Sequence, residues 1–198
     1  KSGQTYSNLT QILNGKSSAK VIAEISSAEN SIIKLYKART TSQKLKDRSE
    51  PFHWPLNQRH LVKNFRYSIS GVPSLYLGSS TFICWIELGQ PNFSDFWITK
   101  YEFNPRDKIV IDFTFSLEEK VEQFKSGRIN INALNNHLLI WPLIIASSFR
   151  VKFQTGDVHE EYIIPNIILQ WIKRERSDII GLKYISTKTN TYNAKVCT

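Results

Sequence analysis

Strand-like and helix-like stretches follow one another in this sequence without regular alternation, and that order narrows the possible folds sharply. Runs rich in β-branched and aromatic residues occur at Ser31–Arg39, Pro73–Leu77, Asp95–Phe103, Lys108–Phe115 and Ile179–Ile185. Helical patterns lie between them unevenly. Ser79 or Ser80 is placed to cap a helix through Cys84, Trp85 and Glu87. Ser116-Leu117-Glu118-Glu119 is a capping box for a helix through Phe124. Leu134–Ser147 reads as a buried helix, kinked or restarted at Pro142. Tyr162–Arg174 carries an apolar stripe of Ile164, Ile167, Ile168 and Trp171. A doubly wound sheet needs helices alternating with strands; this order predicts an α+β fold instead, a single compact domain with mixed or antiparallel sheets and flanking helices.

The flanks read differently. Residues 1–30 form two apolar groups at helical spacing, Leu9, Ile12, Leu13 and Val21, Ile22, Ile25, separated by Gly15, and are expected to be an N-terminal helical extension. The main domain is expected over 31–188 and a C-terminal tail over 189–198. Residues 40–65 read as a long polar connection containing Pro51 and Pro55, a length that marks functional or mobile loops.

Composition removes several function classes. With 41% hydrophobic and 12% aromatic residues, the chain can bury a real core. Its longest apolar run, Leu138–Ala146, holds Pro142 and is too short to span a bilayer, so no membrane role is expected. Cys84 and Cys197 are too few for a disulfide scaffold or a four-ligand zinc site, and the four histidines show no HExxH spacing, so no metal is expected. The Gly-rich phosphate loops and the GxSxG elbow are absent. No secretory leader pattern is present, and the reducing cytoplasm is the expected compartment. The start at Lys1 and the lack of Met predict that the natural chain extends upstream. The formal net charge of +9 favours an anionic partner. The cations form no dense run, so the pattern argues for a solvated surface or a phosphate pocket rather than a nucleic-acid-binding tail.

A few polar groups are set around turns. Gly71 and Pro73 make one turn, with Arg66 ahead of it, and Glu87 lies about two helical turns after Ser80. Taken singly, Arg66 reads as a loop cation, Glu87 as an exposed helix residue and Tyr76 as a core aromatic.

Together they carry a resemblance. Arg66-Tyr67-Ser68, followed by Gly71-Val72-Pro73-Ser74-Leu75-Tyr76-Leu77 and Cys84-Trp85-Ile86-Glu87-Leu88, resembles the RES-domain family, named for Arg, Glu and Ser. Leu35-Tyr36-Lys37-Ala38-Arg39 looks like that family's first strand, and Phe52-His53-Trp54-Pro55 with Arg59 like its connecting loop. Pro142–Ser148, Glu161–Asn166 and Gly181–Thr187 look like later blocks, giving a resemblance over roughly 31–188.

The resemblance implies a toxin domain similar in fold to ADP-ribosyltransferases. It would degrade NAD+ by cleaving the nicotinamide–ribose bond, through hydrolysis or phosphorolysis, and would be silenced by an antitoxin. NAD+ would be substrate rather than cofactor, with inorganic phosphate as an optional co-substrate. It also implies catalytic roles for Glu87, Arg66 and Ser186, and NAD+-binding roles for Lys37, Arg39, Tyr67, Ser68 and Tyr76. The residue types suit the chemistry. Cleavage builds oxocarbenium character on the ribose, which a carboxylate such as Glu87 stabilises. The pyrophosphate suits the guanidinium forks of Arg66 and Arg39. Tyr67 or Tyr76 offers a stacking face, and Ser68 and Ser186 offer small hydroxyls. Two departures stand out: Lys37 replaces the usual first-strand Arg, and Ile163 occupies a helix-start position where some members carry Ser. Two other readings remain open: an ADP-ribosyltransferase acting on a macromolecule, and a degenerate, non-catalytic binding module.

Overall fold

The computed structural model describes residues 22–24, 32–47, 50–103, 109–114, 116–151, 159–188 and 195–197. These build one seven-stranded sheet with helices against it, an α+β architecture as the order of elements predicts. The strands are β1 (Ile22–Glu24), β2 (Ile33–Thr40), β3 (Leu77–Gly78), β4 (Phe96–Phe103), β5 (Ile109–Phe113), β6 (Ile179–Ile185) and β7 (Lys195–Cys197), in the order β1-β5-β6-β7-β3-β2-β4. The helices are α1 (Thr81–Glu87), α2 (Leu117–Lys125), α3 (Ile131–Ser148) and α4 (Ile163–Glu175).

β2 and β4 form the longest ladder, antiparallel from Ile33↔Phe103 to Thr40↔Phe96. β5 and β6 are parallel, so the chain must cross over between them; α2, α3 and α4 make that crossing. The core follows from it. Ile140 and Ile144 of α3 and Ile168, Trp171 and Ile172 of α4 pack with Ile111, Phe113, Ile179 and Leu182 of the parallel pair. Lys183 Nζ, 2.9 Å from Asp112 Oδ2, ties the same two strands at one face.

The helix ends obey local chemistry. Ser80 Oγ accepts the Ile83 N–H and opens α1, and Ser116 Oγ accepts from Glu119 N–H and opens α2. Asn130 does the same for α3 through the Ala133 N–H. α3 therefore begins ahead of the expected Leu134 and runs without a break through Pro142, where a restart was one expectation. The lost backbone bond at Pro142 is offset by burial of Ile140 and Ile144 on either side.

Three boundaries are corrected. Residues 22–24, expected inside a helical extension, pair as β1 with β5; a short apolar group fits strand and helix periods alike. The remainder of 1–30 lies outside the described residues. Residues 195–197, expected in a tail, form β7 between β6 and β3 in the middle of the sheet. The expected strand Pro73–Leu77 shrinks to Leu77–Gly78, since the chain before it finds no ladder partner and Pro73 has no N–H to offer one.

Candidate functional site

Glu87 is the last residue of α1. After it the chain turns back at once: the Gly89 N–H bonds to the Ile86 carbonyl at 2.9 Å, with Gly89 at φ +79°, a left-handed value suited to glycine. Ser186 follows β6 directly. Its hydroxyl donates to Glu87 Oε1, joining the end of α1 to the end of β6. The Lys188 N–H donates to Ser186 Oγ at 3.2 Å. The Lys188 ammonium donates to the Glu87 main-chain carbonyl and lies 4.0 Å from Oε2. The Glu87 side chain remains 31% exposed, so the carboxylate is reachable from solvent.

Arg66 sits beside this pair but faces inward. Phe65 and Ser68 close a tight turn through two backbone hydrogen bonds, leaving Arg66 and Tyr67 at its tip. Arg66 is 7% exposed. Its two terminal nitrogens donate to the Ser147 and Phe149 carbonyls, each at 2.6 Å, and to Thr187 Oγ1 at 3.3 Å. The guanidinium carbon lies 5.4 Å from the centre of the Tyr162 ring. The fork expected to grip a pyrophosphate is thus spent on carbonyls at the end of α3. It reaches the Glu87–Ser186 pair through Thr187.

Aromatics form the floor. Tyr67 is 1% exposed and its ring centre lies 4.6 Å from that of Tyr184. The Tyr67 N–H donates to the Tyr76 hydroxyl at 3.0 Å. Burial pushes the phenols of Tyr67, Tyr76 and Tyr184 well above the ordinary tyrosine value, so all three stay neutral hydrogen-bonding groups. For Tyr184, the charges of Tyr76 and Glu87 push the same way. Ser68 is buried within the turn at 2% exposure.

Lys37 and Arg39 are drawn elsewhere. They share one face of β2, and each donates to a carbonyl of the loop after it: Lys37 Nζ to Phe52 at 3.0 Å, and Arg39 Nη1 to Glu50 at 3.1 Å. Burial, and then the charge of Arg39, lower the Lys37 ammonium from its ordinary value. No described hydrogen bond or ion pair joins these two cations to the Glu87 cluster.

Thr187, Lys188, Tyr162 and Tyr184 join the cluster without having been singled out. A Ser-Thr-Lys run at the exit of the last apolar strand was the available signal. Its meaning depends on which helix end the strand exit faces. Among the described residues, no cluster of three or more His, Cys, Asp or Glu could hold a metal, and no helix is long and apolar enough to cross a membrane.

Fold and site together define an α+β domain with a carboxylate–hydroxyl pair at one edge of its core, backed by a buried arginine and a tyrosine floor. The chain is 34% identical over 163 residues to a Bacillus subtilis (strain 168) protein described as "Putative toxin YopC". The alignment covers 79% of this chain and 37% of that protein, so the chain spans well under half the length of the curated relative it matches. No protein-family model matches the chain, and no solved structure matches it.

Proposed function

We propose that this chain is a RES-type toxin domain that degrades NAD+ by cleaving the nicotinamide–ribose bond, by hydrolysis or phosphorolysis. The observation that carries the reading is the Ser186–Glu87 hydrogen bond beside a partly exposed carboxylate. The likeness to a relative described as a toxin supports the biological class.

In this reading Glu87 is the catalytic carboxylate. Ser186 occupies Oε1 and fixes the rotamer, leaving Oε2 for a ribose hydroxyl and for the positive charge that builds as nicotinamide departs. Nicotinamide leaves neutral with the bonding electron pair, and water or inorganic phosphate takes its place on the ribose carbon. Arg66 is a positioning residue: it holds Thr187, and hence the strand exit bearing Ser186, against the end of α3. Tyr67, Ser68 and Tyr76 build the wall behind the carboxylate, while Lys37 and Arg39 meet the pyrophosphate. NAD+ is substrate, no further cofactor is invoked, and an antitoxin covering the site in the cytoplasm is the expected partner.

The test is incubation with NAD+, with and without phosphate, while free nicotinamide and the ribosyl product are measured. Nicotinamide with ADP-ribose or its 1-phosphate supports the reading. Release only when a macromolecule is added, with label transferred to it, replaces the reading with ADP-ribosyl transfer. No release under any of these conditions overturns both.

A further inference from the structure

Lys188 makes three contacts to the catalytic pair, one to Ser186 and two to Glu87. Its main-chain N–H donates to Ser186 Oγ at 3.2 Å. A serine hydroxyl has one proton and two acceptor lone pairs. With one lone pair taken by the Lys188 N–H, the proton is directed at Glu87 Oε1, an acceptor with no proton of its own when ionised. The carboxylate fixes the direction of the Ser186–Glu87 bond, and the Lys188 backbone N–H holds the same hydroxyl in place.

The side chain acts at the other end. Helix ends leave carbonyls without intrahelical partners, and basic side chains near a C-terminus satisfy them. The Lys188 ammonium donates to the Glu87 carbonyl, at the last residue of α1. It stands 4.0 Å from Oε2, beyond hydrogen-bond distance, so it neutralises part of the carboxylate's charge without occupying that oxygen. The side chain is half exposed, so its stem is not a core filler.

We propose that Lys188 is a positioning residue: it clamps the exit of β6 to the end of α1, holds the Ser186 hydroxyl beside Glu87 Oε1 and leaves Glu87 Oε2 free for substrate. The proposal rests on the reading above that Glu87 is the carboxylate at the scissile bond, but its structural half stands apart from that reading. The clamp explains how a carboxylate at the end of a seven-residue helix keeps one orientation. A short helix end frays readily, and an ammonium tied to its terminal carbonyl opposes fraying.

The experiment compares the parent with Lys188→Met and Lys188→Arg by amide hydrogen exchange and by steady-state kinetics on NAD+. Lys188→Met keeps the stem and the backbone N–H but removes the charge and donors. It is expected to speed exchange at residues 86–90 by about tenfold, with the amides of α3 and α4 unchanged. It is also expected to lower kcat about tenfold with KM nearly constant, and Lys188→Arg is expected to restore most of both. Unchanged exchange at 86–90 in Lys188→Met overturns the clamp, whatever the activity. A rise in KM at constant kcat overturns the positioning role and makes Lys188 a substrate ligand. Equal loss in Met and Arg variants, with exchange faster throughout α3 and α4, overturns it in favour of general stability. If the parent releases no nicotinamide while exchange responds as expected, the clamp stands and only the catalytic reading falls.

Discussion

Ser186, ninety-nine residues beyond Glu87 in the chain, directs its hydroxyl to the Glu87 carboxylate. A helix end and a strand end meet there, so the carboxylate's orientation depends on tertiary packing. Hydrogen bonds to charged groups contribute about 1.5–3 kcal/mol. Ser186→Ala is therefore expected to slow nicotinamide release by roughly 10- to 100-fold. Thermal unfolding should shift little, because the vacated carboxylate is open to water. An unchanged rate in this variant would show that the bond is incidental.

Arg66 is expected to behave as a structural residue. Arg66→Ala strips the donors from the Ser147 and Phe149 carbonyls and leaves an unfilled space against Tyr162. A buried or half-buried carbonyl left without its donor costs about 1–3 kcal/mol, and two lose it here. At about 2–4 °C per kcal/mol for a domain of this size, the melting temperature should fall by roughly 4–24 °C. Calorimetry showing no change, with weakened NAD+ affinity, would return Arg66 to the phosphate-binding role its residue type suggested.

How much of this was legible in the sequence differs residue by residue. Caps are local, so Ser79 or Ser80 marks the start of α1 and Ser116 that of α2 from short serine patterns; the structure uses Ser80 and Ser116. The α+β class followed from element order. β1 and β7 were missed because three-residue strands owe their existence to the neighbours β5, β6 and β3 rather than to their own pattern. Arg66 shows the same limit inside the site. Its charge pointed to a phosphate, but only the fold brings the Ser147 and Phe149 carbonyls within 2.6 Å. Lys188 was invisible because its meaning comes from Glu87, on the far side of the sequence.

The first-strand cations make a separable prediction. Arg39 spends one nitrogen on the Glu50 carbonyl and is otherwise exposed. If it meets the pyrophosphate, Arg39→Ala should raise KM for NAD+ several-fold and leave kcat nearly unchanged, since the pyrophosphate keeps its charge through the reaction. Lys37→Arg should lower KM, because a guanidinium keeps the Phe52 contact and adds a second donor. If neither variant changes KM, the loop contacts are the whole role of this strand face.

Gly78 tests the packing that holds α1 in place. A Cβ built there would lie 2.7 Å from Cys84 Sγ and 3.2 Å from the Ser80 carbonyl. Gly78→Ala is expected to destabilise the domain by about 1–3 kcal/mol through overpacking. Cys84→Ala removes the closest obstacle, so the double variant should recover part of that loss in a double-mutant cycle. Strict additivity in denaturant melts would mean that the two side chains do not share the space.

Glu87→Gln isolates the carboxylate's charge. The amide keeps the size and an acceptor for Ser186 while removing the negative charge. Parent and variant, matched by circular dichroism and melting temperature, would be incubated with NAD+ and phosphate while nicotinamide is quantified. The parent is expected to release nicotinamide and the variant to lose at least about 100-fold in rate, as when a charge that stabilises the transition state is removed. Equal release by both proteins, at equal stability, would contradict the catalytic role of Glu87.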